Sequence, residues 1–256
     1  MEISEIFILT LSAFITSSIS AVIGMGGGII LLGIMAIFIP EGYMAIALHG
    51  FIQLISNSTR TYVFKKHLKK KLLKEFGIGS IIGAIISGLI VLFIFEIYDF
   101  NSPSDFKIDF LKPVIGIFII WYLFLKGPKR EKKSKTFIKV GGISGIASIF
   151  VGATGPLIAP FFINRNLCKE EIIANKAASQ MITHITKIPL FYFIFDFNYY
   201  SEYKILIPLI LAVFIGTNFG KKILKIIPEK LFKILFKSAL SIISIKLIAD
   251  YIIKIL

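Results

Sequence analysis

The sequence predicts an all-α polytopic membrane protein built as two inverted-topology repeats. Each repeat has a Gly-interrupted helical hairpin plus three full transmembrane helices. Three observations predict this. The 256-residue chain is 56% hydrophobic and 17% charged, with a mean hydropathy of +0.84, where soluble domains average about 45–50% and 25%. Its apolar residues are gathered in long runs such as 3–35 and 76–97, which a water-soluble surface would not cover. Two glycine clusters, beginning at Gly24 and Gly152, stand 128 positions apart, half the chain length. A soluble globular enzyme, a disordered chain and a disulfide scaffold are excluded.

The elements follow in order. A bilayer core about 30 Å thick takes about 20 apolar residues in a helix. Ile3–Ile23 is such a run, and it ends in Gly24-Met25-Gly26-Gly27-Gly28. A shorter run reaches Ile39, and Pro40-Glu41-Gly42 breaks the chain. Residues 43–64 form the next helix, 65–74 a basic loop, and 76–97 a span. Residues 98–109 are polar and acid-rich, 110–125 span again, and 126–139 are a second basic loop with seven Lys or Arg. A short apolar run, 138–151, ends in Gly152-Ala153-Thr154-Gly155-Pro156, and another reaches Ile163. Residues 170–195 form a long helix containing Pro189. Residues 196–203 are a polar loop, 205–220 span, 221–230 are basic, and 231–253 form the last helix.

Charge orients these elements. Lys plus Arg number 29 and Asp plus Glu 15, for a net charge of +14. No folded domain surrounds any basic stretch, so nucleic acid is not an expected partner. The basic residues sit in short connections, and cytoplasmic loops of membrane proteins carry such an excess. Segments 65–74, 126–139 and 221–230 are therefore expected inside, and 98–109 and 196–203 outside, in correct alternation with the spans. Both termini then face out. Met1-Glu2-Ile3-Ser4-Glu5 lacks the positive region of a signal peptide, so the first run is expected to be retained.

The chain also repeats itself. At an offset of 127, Gln53 matches Gln180, Asn57 matches His184 and Arg60 matches Lys187. The 43–64 helix is expected to run outside to inside and the 170–195 helix the reverse, so residues 1–127 and 128–256 read as inverted repeats within one membrane domain. Inverted repeats with interrupted helices at matching positions point to a secondary transporter with a central site. Glycine clusters also serve close helix packing, but packing alone does not require the repeat.

The chemistry points to an anion. Clustered glycines break a helix, and broken backbone inside a bilayer must be buried in protein or line a watery cavity. The run after each break starts a helix whose free N–H groups favour negative charge, and Pro156 suits a first turn. Thr154 adds a hydroxyl. His49, Gln53, Asn57 and Arg60 share one helix face; Lys176, Gln180, His184 and Lys187 form a matching stripe, with Thr183 beside it. Polar residues in a membrane helix are costly and usually face a cavity or partner. Arg60 and Lys187 either do so or snorkel to the interface; Lys176 is expected near the cytoplasmic interface. All fifteen acids map to loops or helix ends, so the interior is positive and amide-rich.

Other chemistries have weak signals. The single cysteine, Cys168, makes no disulfide within the chain and no cysteine cluster. His49, His67 and His184 have no metal-ligand spacing, and neither metal nor cofactor is expected. Gly142-Ile143-Ser144-Gly145 matches the G-x-S-G of rhomboid-type intramembrane serine proteases, with His184 as the base. Ser144 serves equally as a small packing residue.

The glycine clusters and polar stripes resemble the sulfite exporter TauE/SafE family of bacterial and archaeal membrane proteins. The matching features are Gly24-x-Gly26-Gly27-Gly28, Asn57-x-x-Arg60 before a basic loop, and Gly152-x-x-Gly155-Pro156-x-x-x-Pro160. The resemblance spans nearly the whole chain and implies export of sulfite, sulfoacetate or another sulfur-containing organic anion. Gly33 stands where members often have proline, and Thr154 where the second cluster often has another glycine.

The expected site therefore comprises Gly24, Gly26, Gly27, Gly28, Gln53, Asn57, Arg60, Gly152, Thr154, Gly155, Pro156, Gln180, His184 and Lys187, holding a small anion near the midplane. Arg60 and Lys187 supply positive charge on either side. If protons are coupled, His49 and His184 are the candidates. A passive anion channel is the alternative transport mode, and the Ser144/His184 protease the enzyme alternative. The expected setting is the plasma membrane, with multiple passes and lipid as the surrounding partner; a homodimer stays open. The second hairpin's arms, about 14 and 8 residues, are short for full spans and read as re-entrant.

Overall fold

A computed structural model describes residues 2–39, 42–98, 116–117, 119–121, 124, 137–163 and 167–255. Among these residues the secondary structure is helical, with no strand. The first half contains α1 (Ile3–Ile23), α2 (Gly27–Phe38), α3 (Gly42–Val63) and α4 (Lys70–Tyr98), with a 3-10 turn at Lys65–His67. The second contains α5 (Phe137–Val151), two four-residue turns α6 (Gly155–Ile158) and α7 (Pro160–Ile163), then α8 (Lys169–Ile194), α9 (Tyr203–Leu224) and α10 (Glu229–Ile255).

Ile3–Ile23, Lys70–Ile97 and Tyr203–Leu224 are long and apolar enough to cross a membrane. The helices α3 and α8 have 22 and 26 residues, about 33 and 39 Å at 1.5 Å per residue. Their polar stripes dilute their hydropathy. They cross each other at the centre, and the remaining helices wrap them. Helix α1 packs along α9, and α5 along α4; α4 also touches α8, and α9 touches α3.

Small residues make these pairings close. A side chain added at Gly79 or Gly83 of α4 would begin 1.9 Å from the Ile138 carbonyl oxygen or 2.2 Å from that of Gly142, both on α5. Glycines 141 and 145 of α5 return the contact, 2.1 Å from the Phe76 oxygen and 2.4 Å from that of Ser80. On the other flank, Gly216 and Gly220 of α9 face the Phe14 and Ser18 carbonyls of α1, each at 2.4 Å. Lipid tails are as apolar as leucine, so helix association in a membrane rests on such close packing. Two apolar clusters flank the polar middle of α3 and α8. One gathers Phe76, Phe137, Phe162, Phe232 and Phe236; the other gathers Leu9, Leu31, Met35, Leu48, Phe191 and Leu209.

Three element boundaries differ from the sequence reading. Segment 65–74 is not all loop: α4 begins at Lys70 and takes in Lys71 and Lys74. Lysine is a good helix former, and its long stem lets the charge reach water from a helix end. Lys221 and Lys222 likewise form the last turn of α9, where cations complement the helix dipole. Residues 137–139, read as the end of the second basic loop, already belong to α5. The Phe137 N–H donates to Glu75 on α4 at 2.9 Å, fixing that start. The outer loop 98–109, the span 110–125 and the loop 126–136 lie outside the described residues, apart from Tyr98, Gly116, Ile117, Ile119, Ile120, Trp121 and Phe124.

The polar loop 196–203 hides aromatic content. Phe195 and Phe197 are buried. Tyr43 meets Phe197 edge-on at 6.4 Å, and Phe51 lies 5.5 Å from Tyr199. These rings close one end of the α3–α8 pair. At the other end, Asn175 of α8 accepts from the Lys69 N–H at 2.7 Å and donates to the His67 carbonyl at 2.9 Å. Lys69 pairs with Glu171 beside it, which holds the Glu171 carboxyl below its ordinary range. Lys169 donates to the Leu224 and Ile227 carbonyls, and its N–H to Glu229. The first turns of α8 thus tie down both basic connections.

Candidate functional site

Both glycine clusters break the backbone as expected. Gly24, Gly26 and Gly152 have φ of 84°, 94° and 76°, in the left-handed region that side chains resist. Gly24 ends α1, its N–H bonded to the Ser20 carbonyl at 2.9 Å. Helix α2 then starts at Gly27, which is packed hard against α1: an added Cβ would stand 1.8 Å from the Thr16 oxygen. The second break is followed only by the short α6 and α7, divided at Pro160, which has no N–H to give.

A cavity of about 340 Å³, its mouth included, opens between the two breaks. It is lined by Ser20, Met25, Gly26, Gly28 and Ile29 from the first break and by Ala153, Gly155 and Pro156 from the second. Helix α3 contributes His49, Gln53 and Arg60; α8 contributes Lys176, Gln180 and His184. No carboxylate lines it. Each glutamine lies against a glycine of the neighbouring break. An added Cβ would be 3.2 Å from Gln53 Oε1 at Gly28 and 2.7 Å from Gln180 Nε2 at Gly155. Only a bare backbone lets the amide groups sit there.

The cations hold carbonyls that the breaks release. A helix's last carbonyls lack intrahelical partners, and cationic side chains can bond them. Arg60 donates from Nη1 to the Ser20 oxygen at 3.3 Å, from Nη2 to Asn57 Oδ1 at 2.7 Å and from Nε to the Ser56 oxygen at 3.4 Å. Lys176 Nζ donates to the Gly24 oxygen at 2.8 Å and to Gln180 Oε1 at 3.1 Å. Lys187 Nζ donates to the Gly152 oxygen at 3.2 Å and stands 5.4 Å from the Phe191 ring centre. Among the described residues none of the three has an acidic partner; the ion pairs there are Lys69–Glu171, Lys169–Glu170 and Lys246–Asp250.

His49 Nε2 is 2.7 Å from the Gly28 oxygen, and the two histidine rings meet edge-on at 6.4 Å. Both Nδ1 atoms are buried without a partner, as are Asn57 Nδ2 and the Thr154 hydroxyl. Buried polar atoms are normally bonded to protein or water, so this group has unused capacity facing a polar space.

Of the residues picked from sequence, Gly26, Gly28, His49, Gln53, Arg60, Gly155, Pro156, Gln180 and His184 line the cavity together. Gly24, Gly27, Asn57, Gly152, Thr154 and Lys187 stand behind the lining and shape it. Lys176 departs from its expected place near the interface. It is 1% exposed and reaches the cavity, because Gly24 leaves a carbonyl that draws its ammonium inward. Ser20 and Gly50 were also missed. A Cβ at Gly50 would be 3.2 Å from Lys187 Cε, so this glycine makes the channel for the lysine stem. Ser144 is fully buried, and its hydroxyl lies 3.2 Å from that of Thr183; its hydrogen-bond partner is thus Thr183, not His184. Among the described residues no group of His, Cys, Asp or Glu is arranged to hold a metal ion.

Fold and cavity together define an all-helical, membrane-embedded protein with a buried, cation-lined polar site. The chain matches the sulfite exporter TauE/SafE family over residues 9–247, nearly its whole length, and belongs to that family. This is a family of membrane transporters for sulfur-containing anions rather than of enzymes. No curated protein and no solved structure matches the chain.

Proposed function

We propose that the protein is a secondary transporter that exports a small oxidised sulfur anion, sulfite or a short organosulfonate, through the cavity between the two glycine breaks. The observation that carries this reading is a buried site lined by two cations, two histidines and two amides, with no carboxylate. A cation site or carboxylate proton relay needs acids in the membrane; this site offers donors and positive charge. Arg60 faces the anion, Lys187 adds positive charge behind the second break, and the first-turn N–H groups of α2 add donors. His49 and His184 are the groups available if a proton travels with the anion.

Residues 1–127 and 128–256 serve as two inverted repeats. The exchange of partners supports this: α1 pairs with α9 as α5 pairs with α4, and Gln53 lies at Gly28 as Gln180 lies at Gly155. Access alternates as one half rocks against the other. The aromatic closure at Phe197 and Tyr199 and the Asn175 clasp are the two ends that open in turn. The second broken hairpin is re-entrant, since α5 has 15 residues, about 22 Å, less than the bilayer core. Both termini face out, in the plasma membrane. An inside-negative potential assists anion efflux by about 2.3 kcal/mol per charge per 100 mV.

The test is sulfite efflux from proteoliposomes holding the purified protein, with sulfate, thiosulfate and a short sulfonate as competitors. Saturable efflux is expected, with Arg60→Ala weakening apparent affinity roughly 30-fold or more, the cost of about 2 kcal/mol or above for removing one partner of a buried charge pair. No flux of any of these anions by folded protein refutes the reading; non-saturating flux replaces the carrier with a channel.

A further inference from the structure

We propose that Lys176, with Arg60, forms a two-cation clamp that selects a doubly charged oxyanion over a singly charged one, and that Lys187 takes no part in this choice. The proposal rests on the anion-transport reading and names the charge class that its site accepts.

The argument begins with which cations reach the cavity. Arg60 and Lys176 both line it; Lys187 does not. Arg60 and Lys176 come from different helices yet converge on the same turn of α1, on the Ser20 and Gly24 carbonyls. Those two carbonyl groups are one turn apart, about 5.4 Å along the axis. Both side chains are nearly inaccessible, at 2% and 1% exposure. Two positive groups so close in an apolar surrounding repel strongly. One negative charge between them leaves an excess, whereas two balance it.

Both groups also keep donors free. An ammonium has three N–H donors and a guanidinium five. Lys176 uses two, on Gly24 and Gln180, and Arg60 uses three, on Ser56, Asn57 and Ser20, among the described residues. His184 Nδ1, buried without a partner in the same lining, adds a further polar contact. Lys187 differs in each respect. It is spent on the Gly152 carbonyl, sheathed by Gly50 and Phe191, and outside the lining.

The experiment is a thermal melt of the detergent-solubilised protein at matched ionic strength. Sulfate, thiosulfate and sulfite are titrated against methanesulfonate and nitrate, since a ligand that binds the folded state raises the melting temperature. The dianions are expected to stabilise at roughly tenfold lower concentration or less. Lys176→Met should abolish that preference, Lys176→Arg should keep it, and Lys187→Met should keep it on a lower baseline. Equal stabilisation of the wild type by both classes overturns the proposal without any variant. So does a preference that survives Lys176→Met or disappears in Lys187→Met. If Lys176→Met does not fold, the Lys176→Arg and Lys187→Met pair and the wild-type ratio still decide. Dianion-selective binding without sulfite efflux would keep the clamp and refute the export reading instead.

Discussion

The α4–α5 seam permits a sharp test of what holds the helices together. Gly77 and Gly79 are neighbours on α4 but face different surroundings. A Cβ at Gly77 meets Ile182 at 3.8 Å, ordinary contact; one at Gly79 would begin 1.9 Å from the Ile138 carbonyl oxygen. Relief requires the backbones to part by more than 1 Å, taking the reciprocal glycines 141 and 145 with them. Overpacking a tight site costs about 1–3 kcal/mol, occasionally more, and a backbone obstacle sets this case at the upper end. Alanine also gains about 0.8–1.0 kcal/mol of helix propensity over glycine, a benefit that Gly77→Ala keeps. Gly79→Ala is therefore expected to lower stability by about 2–3 kcal/mol, a drop of roughly 4–12 °C, while Gly77→Ala holds or rises. Thermal unfolding of the two variants in one detergent reads the difference. A Gly79→Ala protein that melts with the wild type, or a Gly77→Ala protein that falls as far, would show that the seam does not rest on close backbone approach.

Other expectations follow from single contacts. Lys187→Met leaves the buried Gly152 carbonyl without its donor and should cost about 1–3 kcal/mol, read as a lower melting temperature. Asn175→Ala removes bonds to Lys69 and His67 from one end of α8; limited trypsin digestion should then cut the Lys65–Lys71 region faster, and unchanged cleavage would deny the clasp. Ser144 should not react with a fluorophosphonate probe, being fully buried and bonded to Thr183, and Ser144→Ala should transport normally; labelling would revive the protease. Gly24→Ala puts a side chain at φ 84° and 3.3 Å from Phe236, a strain of about 1–3 kcal/mol that should reduce folded yield on size-exclusion chromatography.

Much of this was legible in the sequence because the bilayer makes polarity expensive. Apolar run length alone places α1, α4 and α9, since nothing else tolerates lipid over that distance. The stripe of His49, Gln53 and Arg60 reads as an inward face because an outward one would cost too much, and the structure puts all three on one cavity. Helix breaks at Gly24 and Gly152 follow from the same reasoning, since consecutive glycines have little to hold a helix and Pro156 and Pro160 remove donors.

What the sequence by itself determined is therefore the all-helical membrane class, the two breaks, and a positive, acid-poor interior. Only the tertiary structure decided which cation does what. Lys176 and Lys187 have the same side chain at matching depths of one stripe. The first meets the Gly24 carbonyl at the cavity wall, and the second meets Gly152 behind it. That difference depends on carbonyl groups freed on other helices, more than thirty residues away in one case and more than a hundred and fifty in the other. A helix's own periodicity gives the direction in which a side chain leaves. It carries no record of which backbone groups wait there, because those positions are set by glycine contacts between α1 and α9 and between α4 and α5.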